Sequence, residues 1–273
     1  MPKDIDHYLV WDENKINKFW NFVSTFESYQ NDYFSLQVGK GIIKFLRYIT
    51  PLEGIVLDYG CGPGYLLDIL VSNKIDCNGV DFSEESVNLV NSRYKNNRYY
   101  KGSKIIKNNI PFEDNTFDLI ICLETLEHIN KDKLNLLLDE FHRVLKKESG
   151  FLFITVPNNE DLGKSMAYCP ECGSIFHRYQ HINSFNIKSL SGLLDAHNFR
   201  ASICNITNFE LFQRSIKKKS GRLDLRYIKG LPLIFLLSLF DLILNRRNGG
   251  YVFNHYLGKG PHLFWIGKKI NMD

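Results

Sequence analysis

Residues 56–70 read VLDYGCGPGYLLDIL, an apolar run that enters three glycines, Gly60, Gly62 and Gly64, and leaves as an apolar-rich helical segment. No other passage constrains the fold as tightly. Glycine takes the positive φ of a sharp reversal and lets the backbone approach a ligand with no Cβ between them. The N–H groups that open the following helix favour a negative or polar group at its start. Taken alone, the loop also fits an ordinary strand-to-helix connection.

The surrounding pattern repeats the unit. IVLD (55–58), Cys77–Phe82, FDLIICL (117–123), FLFITV (151–156), a segment near 200–207 and HLFWIG (262–267) read as strands. Between them Tyr65–Val71, Glu84–Tyr94, 131–147 and 186–198 carry helical periodicity, with Ser83 placed to cap the second. Most of these strands are apolar runs rather than alternating ones, the mark of a mainly parallel sheet covered on both faces. Residues 14–50 read as helical and end at Pro51. The expected organisation is an N-terminal helical cap (1–50) and a core (51–207) interrupted by an irregular insertion at 158–185. A basic and apolar insertion (208–250) and a last strand within 251–273 complete it.

Asp81 closes the second strand, where a carboxylate can accept both hydroxyls of a ribose. The alternative is an aspartate that caps the helix beginning beside it. A strand-end aspartate carries little packing, so its removal is expected to spare the fold. The GxGxG spacing lacks the third glycine of GxGxxG, which argues against NAD, and the loop lacks the lysine that a P-loop places on phosphates.

These motifs then carry a specific resemblance. DYGCGPG, GVDFS, IPFEDNTFDLIICLETLEHI and RVLKKESGFLFITVPN, in that order, resemble the class I S-adenosylmethionine-dependent methyltransferases that act on quinones and other small molecules. The likeness covers roughly residues 50–160 and continues weakly through 181–199. It implies a Rossmann-like α/β fold: a seven-stranded, mostly parallel sheet with the last strand antiparallel and helices on both faces. It also implies that Asp58 and the loop Gly60, Cys61, Gly62 and Gly64 hold the methionine end of the cofactor. By the same likeness Asp81 takes the ribose, Phe82 lies against the adenine, and Cys122, Leu123 and Glu124 pass under the sulfonium. Relatives often place an acidic residue before the IPF triplet to bind the adenine amino group. Here Ile105 and Ile106 stand in that place, leaving Ser103, Asn108 and Asn109 as the polar neighbours.

Methyl transfer needs alignment and exclusion of water, and a general base only when the acceptor must lose a proton. The base candidates are His128, Glu127 and His181; the bland alternative for His128 is a histidine packed at a helix start. Tyr29, Tyr33 and Phe34 either cover the cofactor as a lid or simply pack on the sheet. Cys169, Cys172, His177 and His181 follow the spacing C-x2-C-x4-H-x3-H, which predicts one structural zinc ion. Against that reading, His181 sits in HINSF, where similar methyltransferases carry a histidine toward the acceptor.

The remaining features bound the partners. A net charge of +4 is too mild, and too confined to one segment, to imply nucleic acid. There is no export-type leader and no run of the roughly 18 apolar residues that a spanning helix needs, so the expectation is a cytoplasmic protein. The segment 214–247, basic and then apolar, reads as an acceptor-binding cap or as a peripheral membrane contact. The function expected is methyl transfer from S-adenosylmethionine to a small-molecule, lipid-linked or glycan acceptor. The competing readings are a non-catalytic S-adenosylmethionine-binding module and an NAD-dependent oxidoreductase.

Overall fold

The computed structural model describes residues 7–213, 257–258 and 260–270. Most of the 208–250 insertion, including all of 214–247, therefore lies outside the described residues.

The strands of the main sheet are β2 (Ile55–Tyr59), β3 (Asp76–Asp81), β4 (Tyr100–Ile105), β5 (Leu119–Leu123), β6 (Phe151–Pro157), β9 (Phe199–Thr207) and β10 (His262–Lys269). Their order is β4-β3-β2-β5-β6-β10-β9. Neighbours from β4 through β6 are parallel, and β10 is antiparallel to both β6 and β9. The fold is thus the Rossmann-like α/β arrangement that the resemblance implies, with the last strand reversed between two parallel ones.

Helices cover both faces because each carries one apolar stripe. On one face α5 (Lys131–Val144) and α6 (Ile187–Ala196) bury Leu134, Leu138, Phe141, Leu190 and Leu194 against Ile120, Leu152 and Trp265. On the other, α2 (Phe34–Ile49), α3 (Tyr65–Ser72) and α4 (Glu84–Arg93) pack Ile42, Phe45, Leu46, Leu66, Leu70 and Val90 on Val56, Ile121 and Phe264. Each fully buried aliphatic side chain contributes roughly 1.5–3 kcal/mol. Phe45 sits where rings converge from Phe153, Phe209, Phe212 and Phe264, with centroids 4.9–6.2 Å away.

The helical N-terminus is two helices rather than one. Helix α1 (Glu13–Thr25) starts at Asp12, whose side chain accepts from the Lys15 backbone N–H. A 3-10 stretch (Glu27–Asp32) then turns the chain into α2. The 158–185 insertion is also more ordered than its composition suggests. Within it β7 (Met166–Tyr168) and β8 (Ser174–His177) form a hairpin, and the N-terminal strand β1 (His7–Tyr8) adds to β8 in parallel. Among the described residues, no helix is long and apolar enough to cross a membrane.

Candidate functional site

In an open α/β sheet the ligand crevice lies beyond the carboxyl ends of the strands, where the strand order reverses. Here that point lies between β2 and β5. A cavity of about 750 Å³ opens there, roofed by α1 and the 3-10 turn. Asp58, Asp81 and Glu124, from the ends of β2 and β3 and the turn after β5, reach it together.

The glycine loop forms one wall. Gly60, Gly62 and Gly64 all have positive φ, at 75°, 47° and 88°. A Cβ on Gly62 would stand 3.0 Å from the Tyr33 ring, which covers the loop, and one on Gly60 would stand 3.0 Å from Thr125 Oγ1. Gly64 has a different task. It lies outside the cavity lining, and a Cβ there would meet Val90 Cγ2 at 2.8 Å, so it lets α3 pack on α4.

Asp81 accepts hydrogen bonds from the backbone N–H of Gly62 and of Ser83, both at 2.8 Å. It therefore ties the loop to the start of α4, where Ser83 caps the helix by accepting from Ser86 N. Two backbone donors thus depend on it, so its removal is expected to cost stability as well as a ligand contact. Asp58 is buried, and its Oδ2 has no hydrogen-bond partner among the described residues. Burial, with Asp81 nearby, pushes its carboxyl up to about 8. A buried carboxyl with one oxygen left without a partner, beside a glycine cradle, fits a cationic amino group, and Asp81 keeps lone pairs open to the cavity for hydroxyls.

Phe82 is 46% exposed and lines the cavity, as do Ile105, Ile106 and Asn108. Ser103 is buried with its hydroxyl toward Gly79, whereas Asn108, with Lys107 beside it, lines that wall. Leu123 and Glu124 line the cavity, whereas the thiols of Cys61 and Cys122 are buried in the two hydrophobic cores. Tyr29, Tyr33 and Phe34 lie on the lining.

The far end of the cavity gathers the three base candidates. Glu127 is fully buried and neither of its side-chain oxygens has a partner among the described residues. Burial, with Glu124 adding repulsion, raises its carboxyl well above the usual range, and burial lifts Glu124 to about 8. His128 lies 3.8 Å from Glu127, between Nε2 and Oε1, and its Nδ1 donates to the Gln180 carbonyl at 3.4 Å. Burial, with His181 nearby, lowers its imidazole to about 3, so it is neutral. The His128 and His181 rings meet edge to face at 4.7 Å. His181 Nδ1 donates to Glu160 Oε2 at 2.5 Å.

Three residues unmarked in the sequence complete this end. Glu160 stands among asparagines and aspartate in a polar loop, with no periodicity to single it out. Gln180 is fully buried at φ 61°, accepts from Trp20 Nε1 at 2.8 Å and donates to the His128 carbonyl at 3.0 Å. Such a strained backbone persists only where its surroundings fix it. Trp20 also lies on the His128 ring, with centroids 4.7 Å apart.

The Cys2His2 zinc site is not assembled. Candidate metal ligands group as Glu160, His177 and His181, or as Glu127, His128 and His181, and neither group includes Cys169 or Cys172. The cysteines flank the tip of the β7–β8 hairpin. Strand β8 rises about 3.3 Å per residue and carries His177 to its opposite end. His177 Nδ1 accepts from the His181 N–H at 3.1 Å, and the two rings stack at 4.7 Å. His181 instead lines the cavity, with its ring against His128.

Comparison with known proteins agrees with this geometry. A sequence family described as "Methyltransferase domain" matches residues 29–202. An uncharacterized protein of Methanocaldococcus jannaschii is 30% identical over 184 residues, 67% of this chain and 72% of that protein. The ubiquinone biosynthesis O-methyltransferase of Pelagibacter ubique is 28% identical over 109 residues, 40% of this chain and 44% of that one. Among solved structures, the [4+2]-cyclase SpnF superposes with a TM-score of 0.61 at 14% identity, covering 97% of this chain and 99% of that one.

Proposed function

The chain belongs to the methyltransferase domain family, and from that premise we propose that it moves a methyl group from S-adenosylmethionine to an oxygen of a small-molecule, lipid-linked or glycan acceptor. The observation that carries this reading is a single cavity with two unlike ends. One end is a glycine cradle with Asp58 and Asp81, and the other is a buried cluster of imidazoles and carboxylates.

Asp58, Gly60 and Gly62 would hold the amino-acid end of the cofactor, Asp81 its ribose, and Phe82 and Asn108 its base. Bound there, S-adenosylmethionine supplies a methyl group already activated by its sulfonium. The protein's own work is then to orient the acceptor and keep water out. Trp20, Tyr29 and Tyr33 line the roof of the cavity. Glu127, His128 and His181 face the acceptor and supply the polar end at which a reacting hydroxyl is bound. A carboxylate-rich end of this kind suits an acceptor bearing hydroxyls, such as a sugar or a catechol-like ring, more than a phosphorylated one. Quinone-type acceptors join this set because the Pelagibacter relative is named for ubiquinone biosynthesis.

Calorimetry with S-adenosylhomocysteine and with NAD tests the first half. Heat with the former and none with the latter is expected, and the reverse refutes the reading. Transfer of a labelled methyl group to sugar-nucleotide, lipid or quinone-precursor fractions of a cell extract tests the second half. A cofactor-binding protein that labels none of them would be a non-catalytic module.

A further inference from the structure

We infer that Glu127, His128 and His181 hold a divalent transition-metal ion at the acceptor end of the cavity, with Glu160 and the Gln180 carbonyl fixing the two imidazoles. The inference rests on the methyltransferase reading and names what binds the acceptor there.

The three side chains each offer a ligand atom, and these atoms lie within 4.8 Å of one another. Ligand distances of about 2.0–2.2 Å place neighbouring donors about 3.4 Å apart in a tetrahedral site, so modest side-chain rotations close the set. The tautomers point the same way. A neutral imidazole ligates through the nitrogen that bears no hydrogen, and an acceptor on its other nitrogen fixes which one that is. Glu160 Oε2 takes the Nδ1 hydrogen of His181 at 2.5 Å. The Gln180 carbonyl, which can only accept, takes that of His128 at 3.4 Å. In both rings Nε2 is left with a free lone pair. His177 is excluded by the same test: its Nδ1 accepts from the His181 backbone, so its hydrogen sits on Nε2, 3.6 Å from Glu160.

Glu127 supplies the independent observation. It is fully buried, lines the cavity, and has two oxygens without hydrogen-bond partners. Among the described residues, no lysine or arginine forms an ion pair with Glu127 or Glu160; each is bridged only by histidines. A buried carboxyl whose two oxygens find no donor among the described residues is a ready ligand, and a cation held by it and two imidazoles would satisfy it. Two histidines and one carboxylate suit zinc, iron(II) or manganese rather than calcium or magnesium, and leave coordination positions open toward the cavity. An acceptor hydroxyl bound there has its pKa lowered, and the proton passes to solvent.

The test is elemental analysis of the full chain purified without a histidine tag, followed by titration of chelator-treated protein with cobalt(II), read by visible absorption and calorimetry. About one ion per chain is expected. Glu127→Gln and His181→Asn should abolish cobalt binding, and Glu160→Gln should weaken it about 10–100-fold. Binding of S-adenosylhomocysteine serves as the fold control for every variant and should persist. Cys169→Ser should leave cobalt binding unchanged. The inference is overturned if millimolar cobalt does not bind, if Glu127→Gln and Glu160→Gln both bind it as wild type does, or if Cys169→Ser alone loses the metal. Loss of S-adenosylhomocysteine binding by the unmodified protein would instead overturn the methyltransferase reading, whatever cobalt does.

Discussion

Asp81→Ala should lower stability and cofactor affinity together, and the structure sets the size of each effect. The carboxylate accepts from Gly62 N and Ser83 N at 2.8 Å. Hydrogen bonds to a charged partner are each worth about 1.5–3 kcal/mol. The site opens into the cavity, so water can replace part of the loss, and about 2–4 kcal/mol of unfolding free energy should disappear. Ribose hydroxyls deprived of a charged acceptor cost about 1–3 kcal/mol more, a 5- to 150-fold rise in the dissociation constant of S-adenosylhomocysteine. Urea unfolding of the free protein measures the first quantity and titration calorimetry the second. Asp81→Asn keeps one carbonyl acceptor and should fall between wild type and alanine in both. Wild-type affinity in Asp81→Ala would refute the ribose role, even with the stability loss observed, and would reduce Asp81 to a tie between the loop and α4.

Further outcomes follow from the same geometry. Because burial holds the folded-state Asp58 carboxyl at about 8, the unfolded chain gives up that proton first. The stability of the ligand-free protein should therefore fall as pH rises from about 4 to 8 and level off above it. S-adenosylhomocysteine, whose ammonium favours the ionised carboxylate, should bind more tightly as pH rises from 6.5 toward 8; Asp58→Asn should flatten the binding trend and lessen the stability trend, to which the raised Glu124 also contributes, and profiles unchanged by that substitution would contradict the assignment. Gly64→Ala places a side chain at φ 88° and 2.8 Å from Val90, and should cost about 1–3 kcal/mol in urea unfolding while leaving the dissociation constant within a few-fold of wild type. Phe45→Ala should destabilise by about 3–5 kcal/mol, since the ring is fully buried among four others, and a loss under about 1 kcal/mol would show that the surrounding rings collapse into the space.

Which parts of the molecule could be read from the residues alone has a physical pattern. Strands β2, β5 and β6 are buried on both faces, so IVLDY, LIICL and FLFITV announce themselves as unbroken apolar runs. Strand β4, at the sheet edge, reads YKGSKI, with a glycine, lysines and alternating exposure, and nothing in that string separates it from a loop. The two-residue and three-residue strands at His7–Tyr8 and Met166–Tyr168 are shorter than any periodicity can detect. The end proposed to hold the cofactor can be read from the chain because glycines and strand-end carboxylates act where they stand in it. The end proposed for the acceptor can be read only in part. Glu127, His128 and His181 stood out by type, but Glu160 and Gln180 matter through contacts made across the fold. Spacing misled at the cysteines: C-x2-C-x4-H-x3-H counts residues along the chain, whereas an extended strand carries His177 away from the hairpin tip.

The pairing of His7–Tyr8 with Ser174–Ile175 joins a short strand near the start of the chain to strand β8, more than 160 positions away. Leu9 N donates to the Ile175 carbonyl, and the Trp11 ring packs edge-on against Phe176. Farther along the same N-terminal segment, Trp20 grips Gln180. The roof of the cavity and the wall beside His128 are therefore tied together from two distant pieces of sequence. Exchanging acceptor preference between relatives by grafting the hairpin alone would leave its partner strand mismatched. A working chimera has to carry the opening two dozen residues along with the insertion, and natural variation in one of these segments should be answered by variation in the other.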